Sequence, residues 1–187
     1  MDGLPEADLP RADYILFTHH HQDHIKTATL KRLATDKTVI YAPAKCAELI
    51  GRKFIEVNAG NTLKLGDISV KIVDAYNTPE GNSTRKQHHK GECVGYLLTI
   101  DGKVIYHAGD TDVIPEMQDF GLVDIAFLPI GGTFIMSAAE AVRAAQIIKP
   151  KIVVPMHYLK AKPEMFEKAM RGKGRVKILG IGETIDV

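Results

Sequence analysis

His19-His20-His21-Gln22-Asp23-His24 places four of the chain's eight histidines within six residues. The stretch follows residues 14–18, whose β-branched and aromatic side chains are typical of a strand, and it precedes a helical pattern. We therefore predict that the cluster occupies a turn between a strand and a helix. Because ligand sites in α/β proteins gather at the carboxyl ends of strands, this position favours a binding site over a solvated histidine tract.

The spacing inside the stretch indicates which way its side chains point. Residues two apart in an extended segment point the same way, so we expect His19, His21 and Asp23 to share one direction and His24 to diverge from Asp23. His20 lies between two of them and is expected to point away. Imidazole and carboxylate are ligands of catalytic zinc, which usually takes three from the protein. Two ions would therefore need further ligands from other parts of the chain.

Two candidates for those ligands follow predicted strands. Asp110 comes after a predicted strand at residues 103–107, and a carboxylate there could bridge two ions or merely form a turn. His157 ends the apolar run at residues 152–156, where a single histidine could also be structural. His107 is expected to support a ligand or the fold rather than to coordinate a metal. The shared position at strand ends favours Asp110 and His157 as ligands.

A polar loop at residues 78–92 supplies the remaining candidates. Loops of this length in compact domains are often functional. His88 and His89 are its only histidines, and one of the two is predicted to complete the first metal site. Two adjacent basic residues of the loop could meet an anionic substrate, or they could be ordinary solvated charges. The candidate substrate contacts are Arg85 and Lys86 in the loop, with Gly132 and Thr133 farther along the chain.

Short strands and helices alternate over the rest of the chain. Asp101-Gly102 predicts a two-residue turn that joins strands at residues 94–100 and 103–107 into a hairpin. Ser137 with Glu140 three residues later predicts a capping box that opens a helix at residues 137–149. The other predicted strands lie at residues 38–41, 54–57, 68–76, 123–130, 152–156, 176–179 and 184–187, and the other predicted helices at 44–50 and 163–171. The layout indicates a single α/β domain over residues 1–187.

Composition narrows the class of protein. Of 187 residues, 45% are apolar and 25% are charged, which is the balance of a folded globular protein. A formal net charge of +1 disfavours nucleic acid as a partner. Cys46 and Cys93 stand outside any paired motif, so a reducing compartment is favoured over a disulfide framework. We find no signal segment and no apolar run of ~20 residues, so we expect a cytoplasmic protein without membrane spans.

Four motifs in sequence resemble one family. His19-x-His21-x-Asp23-His24 resembles the HxHxDH signature of the metallo-β-lactamase superfamily, and it is followed in the same order by a loop histidine, Gly109-Asp110-Thr111 and Pro155-Met156-His157. Val94-Gly95-Tyr96 and the segment at residues 128–132 are similar to a branch of metal-dependent hydrolases that includes the ascorbate-6-phosphate lactonases. The resemblance implies an αββα sandwich with a binuclear metal centre.

The resemblance also assigns the ligands. One metal would be held by His19, His21 and the loop histidine, and the second by Asp23, His24 and His157, with Asp110 bridging. A His-x-Lys-Gly pattern in this branch matches His88 of His88-His89-Lys90-Gly91, and His89 is the alternative. Two divalent ions, zinc before manganese or iron, would lower the pKa of a shared water from 15.7 to about 7. Asp23 would orient this nucleophile, and Asp110 is the second candidate catalytic residue.

One departure from the family leaves the function open. Related chains usually carry two or three strands before the signature, whereas this chain begins almost at it, so we expect a sandwich without its first strands. An exposed sheet edge would follow, and self-association into a homo-oligomer is one way to cover it. The leading hypothesis is a hydrolase that cleaves an ester, lactone or amide bond in a small molecule, and one form of this hypothesis is a phosphorylated substrate. The alternatives are a phosphodiesterase or nuclease of the same fold, and a truncated metal-binding domain without catalysis.

Overall fold

A computed structural model describes residues 9–186 of the chain. The strands are β1 (Tyr14–Leu16), β2 (Val39–Ala42), β3 (Ile55–Glu56), β4 (Thr62–Leu65), β5 (Ile68–Asp74), β6 (Val94–Ile100), β7 (Lys103–His107), β8 (Ile125–Pro129), β9 (Ile152–Met156) and β10 (Arg175–Val176). The α-helices are α1 (Thr27–Leu33), α2 (Ala47–Ile50), α3 (Ala138–Ile148) and α4 (Pro163–Ala169), and short 3₁₀ turns span Ala44–Cys46 and Pro115–Asp119.

The strands form two sheets. The smaller sheet has the order β1-β2-β3 with parallel pairing, and the larger has the order β10-β9-β8-β7-β6-β5-β4. Strands β4 to β7 pair antiparallel, and β7 to β10 pair parallel. The carboxyl ends of β7, β8 and β9 therefore meet at one edge of the larger sheet. This edge leads into the segments that carry Asp110, Gly132 and His157.

Apolar side chains pack the two sheets together and cover their outer faces. Val57, Ile72 and Val94 lie between the sheets, where the Tyr96 hydroxyl donates a hydrogen bond to the Phe17 carbonyl at 2.7 Å. Helices α1 and α2 cover the smaller sheet, and α3 and α4 cover the larger one. The buried side chains under the first pair of helices include Ile25, Leu30, Ile40 and Ile50, and those under the second pair include Tyr106, Leu128, Ala141 and Phe166. The result is the expected α/β sandwich, with helices outside both sheets.

Strand β1 forms the edge of the smaller sheet within the described part of the chain, and Tyr14 on it is 40% exposed. The face of β8 and β9 opposite helices α3 and α4 is covered in part by the C-terminal segment, because Leu179 and Ile185 pack against Ile125 and Val154. None of the helices between residues 9 and 186 is long and apolar enough to cross a membrane.

Most of the predicted elements are confirmed, with shifted ends. The hairpin is present in the predicted register, with Ile100 opposite Lys103, and α3 begins with the predicted capping box. Two predicted strands are present but shorter: that at 54–57 is limited to Ile55–Glu56 and that at 176–179 to Arg175–Val176. The strand predicted at 184–187 was wrong for its described part, because residues 184–186 form no strand. Strand β4 was missed, although Gly66-Asp67 between two alternating segments signals a hairpin. Residues 1–8 and Val187 of the predicted domain lie outside the described residues.

Candidate metal centre

The histidine cluster forms a tight turn at the end of β1. The backbone N–H groups of His24 and Ile25 both donate to the His21 carbonyl at 3.0 Å, so the chain turns helically after His21. Ile25 is buried and fixes the turn against the helical layer. The expectation that alternation extends from His19 to Asp23 was wrong, because the segment is extended only as far as His21. Asp23 and His24 converge instead of diverging, with Oδ2 3.5 Å from Nε2.

The predicted ligands come together in three overlapping groups. In each group the ligand atoms lie within 4.8 Å of one another, which is close enough to surround a metal ion. The groups are His19 with His21 and His88, His19 with His24 and Asp110, and Asp23 with His24 and His157. Two metal positions, one at each end of the series with Asp110 between them, are compatible with this arrangement.

Asp110 lies at the centre of the site. Its Oδ2 atom is 3.4 Å from Nε2 of both His88 and His157, 3.5 Å from Nε2 of His24 and 3.8 Å from Nε2 of His19. Burial would raise the pKa of Asp110, but hydrogen bonds from His157 and His24 and the charge of nearby histidines hold it well below its usual range. The carboxylate is therefore ionised and faces four imidazoles.

Gly109 allows this placement of Asp110. It has φ +63°, and a Cβ added there would lie 2.8 Å from the Val94 carbonyl oxygen and 3.1 Å from Thr18 Cβ. The left-handed turn after β7 thus runs directly against β6 and the end of the β1 segment.

The nitrogen and oxygen atoms of these side chains are suited to bind a cation. Nε2 of His19, Nε2 of His88 and Oδ1 of Asp110 are buried without a hydrogen-bond partner among residues 9–186. Buried polar atoms are nearly always paired, so three such atoms on residues of the ligand groups fit a site that binds a cation. Burial lowers the pKa of His19 to about 2 and also lowers the pKa values of His21 and His88, which keeps these rings neutral, as metal ligation requires. His157 differs, because its hydrogen bond with Asp110 raises its pKa.

The remaining histidines lie outside the three groups. His88 is 1% exposed and faces the site, whereas the adjacent His89 is exposed, so the geometry favours His88 of the two alternatives. The His20 ring contacts the His21 ring at 4.8 Å between centroids. His107 accepts a hydrogen bond at Nδ1 from the backbone N–H of Gly109 at 3.2 Å, which supports the turn that carries Asp110.

A strained segment after β9 presents His157. Both His157 and Leu159 have φ +50°, a conformation that residues with side chains rarely adopt. The segment passes directly over Gly131, where an added Cβ would lie 2.8 Å from the His157 carbonyl oxygen. A side chain at position 131 would therefore clash with the segment that brings His157 to the site.

The loop at residues 78–92 is tied to the turn after β8. The backbone N–H of Arg85 donates to the Thr133 carbonyl at 2.8 Å, and its exposed guanidinium lies 5.7 Å from the centre of the Phe134 ring. Gly132 and Thr133 are half-buried in that turn. Lys86 is not a free basic residue, because its Nζ lies 3.3 Å from Oδ2 of the buried Asp112. Arg85 and Lys86 therefore differ: the Arg85 guanidinium lies over an aromatic ring, whereas the Lys86 ammonium is paired with a buried carboxylate.

Sequence reasoning missed two polar residues that shape this loop. Asp112 accepts hydrogen bonds from the Thr78 backbone N–H at 2.9 Å and from the Ser83 hydroxyl at 2.8 Å. Asn77 contacts both ends of the loop and His88 itself. The available signal was their position, since Asp112 follows the Gly109-Asp110-Thr111 motif and Asn77 directly precedes the polar segment.

Comparison with known proteins agrees with this geometry. The Beta-lactamase superfamily domain matches residues 2–158. The fold and the metal-ligand groups thus define a metal-dependent hydrolase of the metallo-β-lactamase superfamily. A UPF0173 metal-dependent hydrolase from Pyrococcus abyssi is 35% identical over 207 aligned residues, which cover 100% of this chain and 89% of that protein. A second, from Pyrococcus furiosus, is 36% identical with the same coverage. The chain belongs to the UPF0173 metal-dependent hydrolase family.

Solved structures support the same assignment. A candidate metal-dependent hydrolase from Parabacteroides distasonis superposes with a TM-score of 0.83 at 35% identity, over 91% of this chain and 77% of that one. Igni18, a metallo hydrolase from Ignicoccus hospitalis, gives a TM-score of 0.74 at 29% identity, over 92% of this chain and 78% of that one.

Proposed function

We propose that this hydrolase holds two divalent metal ions and cleaves an ester, lactone or amide bond in a small molecule. The observation that carries the proposal is the convergence of the ligand atoms, in which the Nε2 atoms of His19 and His88 and Oδ1 of Asp110 are buried without hydrogen-bond partners among residues 9–186. His19, His21 and His88 would hold one ion, and Asp23, His24 and His157 the other, with Asp110 shared. Nitrogen-rich ligands favour zinc over manganese or iron. When bound, such ions polarise the scissile carbonyl and make a water molecule nucleophilic at neutral pH.

The chain's own side chains divide the remaining work. Asp23 is the most solvent-accessible of the ligands, with 62% of its side chain exposed, and its Oδ2 lies 3.7 Å from Nε2 of His157. It is placed to orient an incoming water and to accept its proton at Oδ2. Asp110 is almost fully enclosed, so it holds the ligand histidines in place and stays ionised. The two carboxylates thereby take different roles because their environments differ.

Arg85, Gly132 and Thr133 form the proposed substrate side of the site. Arg85 is exposed, and its guanidinium is held over Phe134, whose carbonyl oxygen lies 3.1 Å from Nδ1 of His88. A basic group so placed favours a substrate with a carboxylate or phosphate remote from the scissile bond. A lactonase acting on a phosphorylated sugar acid, like the ascorbate-6-phosphate lactonases, is the specific form of this proposal.

The proposal is tested by metal analysis followed by a substrate panel. Protein purified without chelator is expected to contain close to two equivalents of metal per chain. It should then hydrolyse lactones or aryl esters faster than bis(p-nitrophenyl) phosphate, which reports phosphodiesterase activity. A metal-free protein that gains no activity with zinc, manganese or iron would contradict the proposal. Preference for the phosphate diester would move the function to the phosphodiesterase class.

Self-association stays a prediction. Light scattering on the eluting protein distinguishes a monomer of 20.6 kDa from a homo-oligomer.

A further inference from the structure

Asn77 connects the two ends of the loop at residues 78–92. Its Oδ1 atom accepts hydrogen bonds from the backbone N–H groups of Gln87 and His88, both at 3.0 Å. Its Nδ2 donates to the Phe134 carbonyl at 2.8 Å, and its own backbone N–H donates to the His88 carbonyl at 2.8 Å. The Asn77 side chain therefore fixes the backbone N–H groups of Gln87 and His88 and joins them to the turn after β8, and the Asn77 backbone holds the His88 carbonyl.

These partners also fix which way the Asn77 amide points. Backbone N–H groups can only donate and a carbonyl can only accept, so the atom facing Gln87 and His88 must be the oxygen and the atom facing Phe134 must be the nitrogen. Nδ1 of His88 then lies 3.2 Å from Asn77 Oδ1 and 3.1 Å from the Phe134 oxygen. Both neighbours are acceptors, so Nδ1 must carry the proton of the neutral ring.

The protonation of Nδ1 decides what the other side of the ring offers. With the proton on Nδ1, the buried Nε2 of His88 has a bare lone pair, and this atom has no hydrogen-bond partner in the described part of the chain. It faces His19, His21 and Asp110, at 3.4 Å from Asp110 Oδ2. We infer that Asn77 is a positioning residue for metal ligation, because it orients His88 and holds the Phe134 carbonyl, which together with Asn77 Oδ1 sets the tautomer of the ring. The inference rests on the proposed metal centre.

A purely structural role would give a different result, because the loop has a second anchor. The buried Asp112 carboxylate accepts from the Thr78 backbone N–H, the Ser83 hydroxyl and Lys86 Nζ, and none of these groups touches His88. Removal of the Asn77 side chain should therefore leave the loop in place and act mainly on His88.

The test compares Asn77→Ala with Asn77→Asp. Alanine removes the acceptor and the donor, whereas aspartate keeps the acceptor beside His88, loses the Nδ2 donor to the Phe134 carbonyl and the Ser83 hydroxyl oxygen, and adds a negative charge. Both variants should lower the unfolding temperature of the metal-free protein to a similar extent. Metal affinity should distinguish the two variants. Asn77→Ala is expected to weaken the binding of one of the two zinc ions about 10–100-fold, the cost of losing a hydrogen-bond partner of a ligand. In Asn77→Ala the affinity for the second zinc ion should change less than threefold. In Asn77→Asp the affinities for both ions should be closer to those of the wild type.

Asn82→Ala is the matched control. Asn82 lies in the same loop with an exposed side chain, and its hydrogen bond to Glu140 comes from the backbone N–H at 2.7 Å. This variant should bind both zinc ions as the wild type does. Competition with a chromophoric chelator gives each affinity without any measurement of hydrolysis.

A second readout does not depend on metal. Long-range ¹H–¹⁵N spectra of the metal-free wild type should show His88 with a protonated Nδ1 and a bare Nε2. A protonated Nε2 in the wild type would overturn the inference. So would zinc affinities in Asn77→Ala equal to those of the wild type, or losses of zinc affinity that parallel the drop in unfolding temperature in both variants. Failure of the proposed function appears separately, as a wild type that binds no metal or that binds two ions without hydrolysing any ester or lactone.

Discussion

The Asp110 carboxylate is the residue that the two proposed metal positions share. Its Oδ2 atom lies 3.4–3.8 Å from the Nε2 atoms of four histidines, and its Oδ1 atom is buried without a partner in the described chain. An amide of the same shape cannot supply the negative charge, and its NH₂ group would compete for the same position. Asp110→Asn should therefore lower kcat/KM by more than the ~10–100-fold that loss of an outer hydrogen-bond partner costs.

The measurement for Asp110→Asn is steady-state hydrolysis together with metal content. Far-UV circular dichroism should match the wild type, because Asp110 lies outside the packed helices and strands. Full activity with two bound ions would show that Asp110 is no bridge.

A substitution at Arg85 tests the proposed substrate class. Its guanidinium is exposed over Phe134, whereas the neighbouring Lys86 is paired with Asp112. Arg85→Met should raise KM for substrates that carry a remote anion, with kcat little changed, because a contact made equally in the ground state and the transition state is lost. Neutral aryl esters should be unaffected.

Lys86→Met is the control for Arg85. It should lower the unfolding temperature, since it leaves the buried Asp112 carboxylate with one partner fewer, without the same selective effect on KM. A KM for anionic substrates that is the same in Arg85→Met as in the wild type would contradict the assigned role.

Residue types and strand-end positions were enough to predict which side chains meet in the site. How they divide between metals could not be derived from alternation, because His24 and Ile25 bond back to the His21 carbonyl and end the extended segment there. The choice between His88 and His89 depended on a tertiary contact, the one between His88 and the Phe134 carbonyl across 46 residues. Asn77 was missed because its partners lie across an irregular loop, in Gln87 and His88, and in the distant Phe134, and no periodic pattern marks such contacts.

At the scale of elements, the sequence predicted best where local interactions decide the structure. The hairpin between β6 and β7 and the N-terminus of α3 are set by neighbouring residues, Asp101-Gly102 and Ser137 with Glu140. The short strands β3 and β10 depend on parallel pairing with distant strands, so their ends could not be derived from the sequence nearby.

Glu140 links helix α3 to the active-site loop. It is 1% exposed, and its carboxylate accepts from the Ser137 backbone N–H at 2.9 Å and from the Asn82 backbone N–H at 2.7 Å. Burial would raise its pKa, but these hydrogen bonds hold the pKa below its ordinary value of 4.5. A carboxyl group with a lowered pKa in the folded state adds stability above its unfolded pKa, and that stability is lost as pH falls through the folded value.

Glu140→Gln should therefore destabilise the fold by about 1–3 kcal/mol at pH 7, the cost of weakened hydrogen bonds to buried groups. The difference from the wild type should shrink below pH 4.5, where the unfolded wild-type side chain binds a proton. Urea unfolding at pH 7 and pH 4 measures both values. A difference that is the same at both pH values would show that the ionised form of Glu140 contributes nothing.

The whole molecule brings these candidate ligands together from four separate segments, so metal binding should be coupled to folding. His19 to His24 come from the end of β1, His88 from the polar loop, Asp110 from the turn after β7 and His157 from the end of β9. An unfolded chain cannot hold these groups within 4.8 Å of one another, whereas the folded chain does so before any ion arrives. Metal should therefore bind the folded state far more tightly than the unfolded state and stabilise it by mass action.

The size of this effect can be stated in advance. Free metal at a hundredfold excess over Kd adds about 2.7 kcal/mol for one site. For a chain of this length each kcal/mol raises Tm by about 2–4 °C, so saturating zinc should raise Tm by about 5–10 °C per site over the chelated protein. The rise should depend on zinc concentration and should be much smaller in Asp110→Asn, which keeps the histidines but lacks the shared carboxylate. Lowering the pH from 7.5 to 5.5 should reduce the rise, because protons compete with zinc for the imidazoles. Differential scanning fluorimetry with chelator or added zinc measures each value, and a Tm that is unchanged by zinc at pH 7.5 would mean that the converging side chains do not form a metal site.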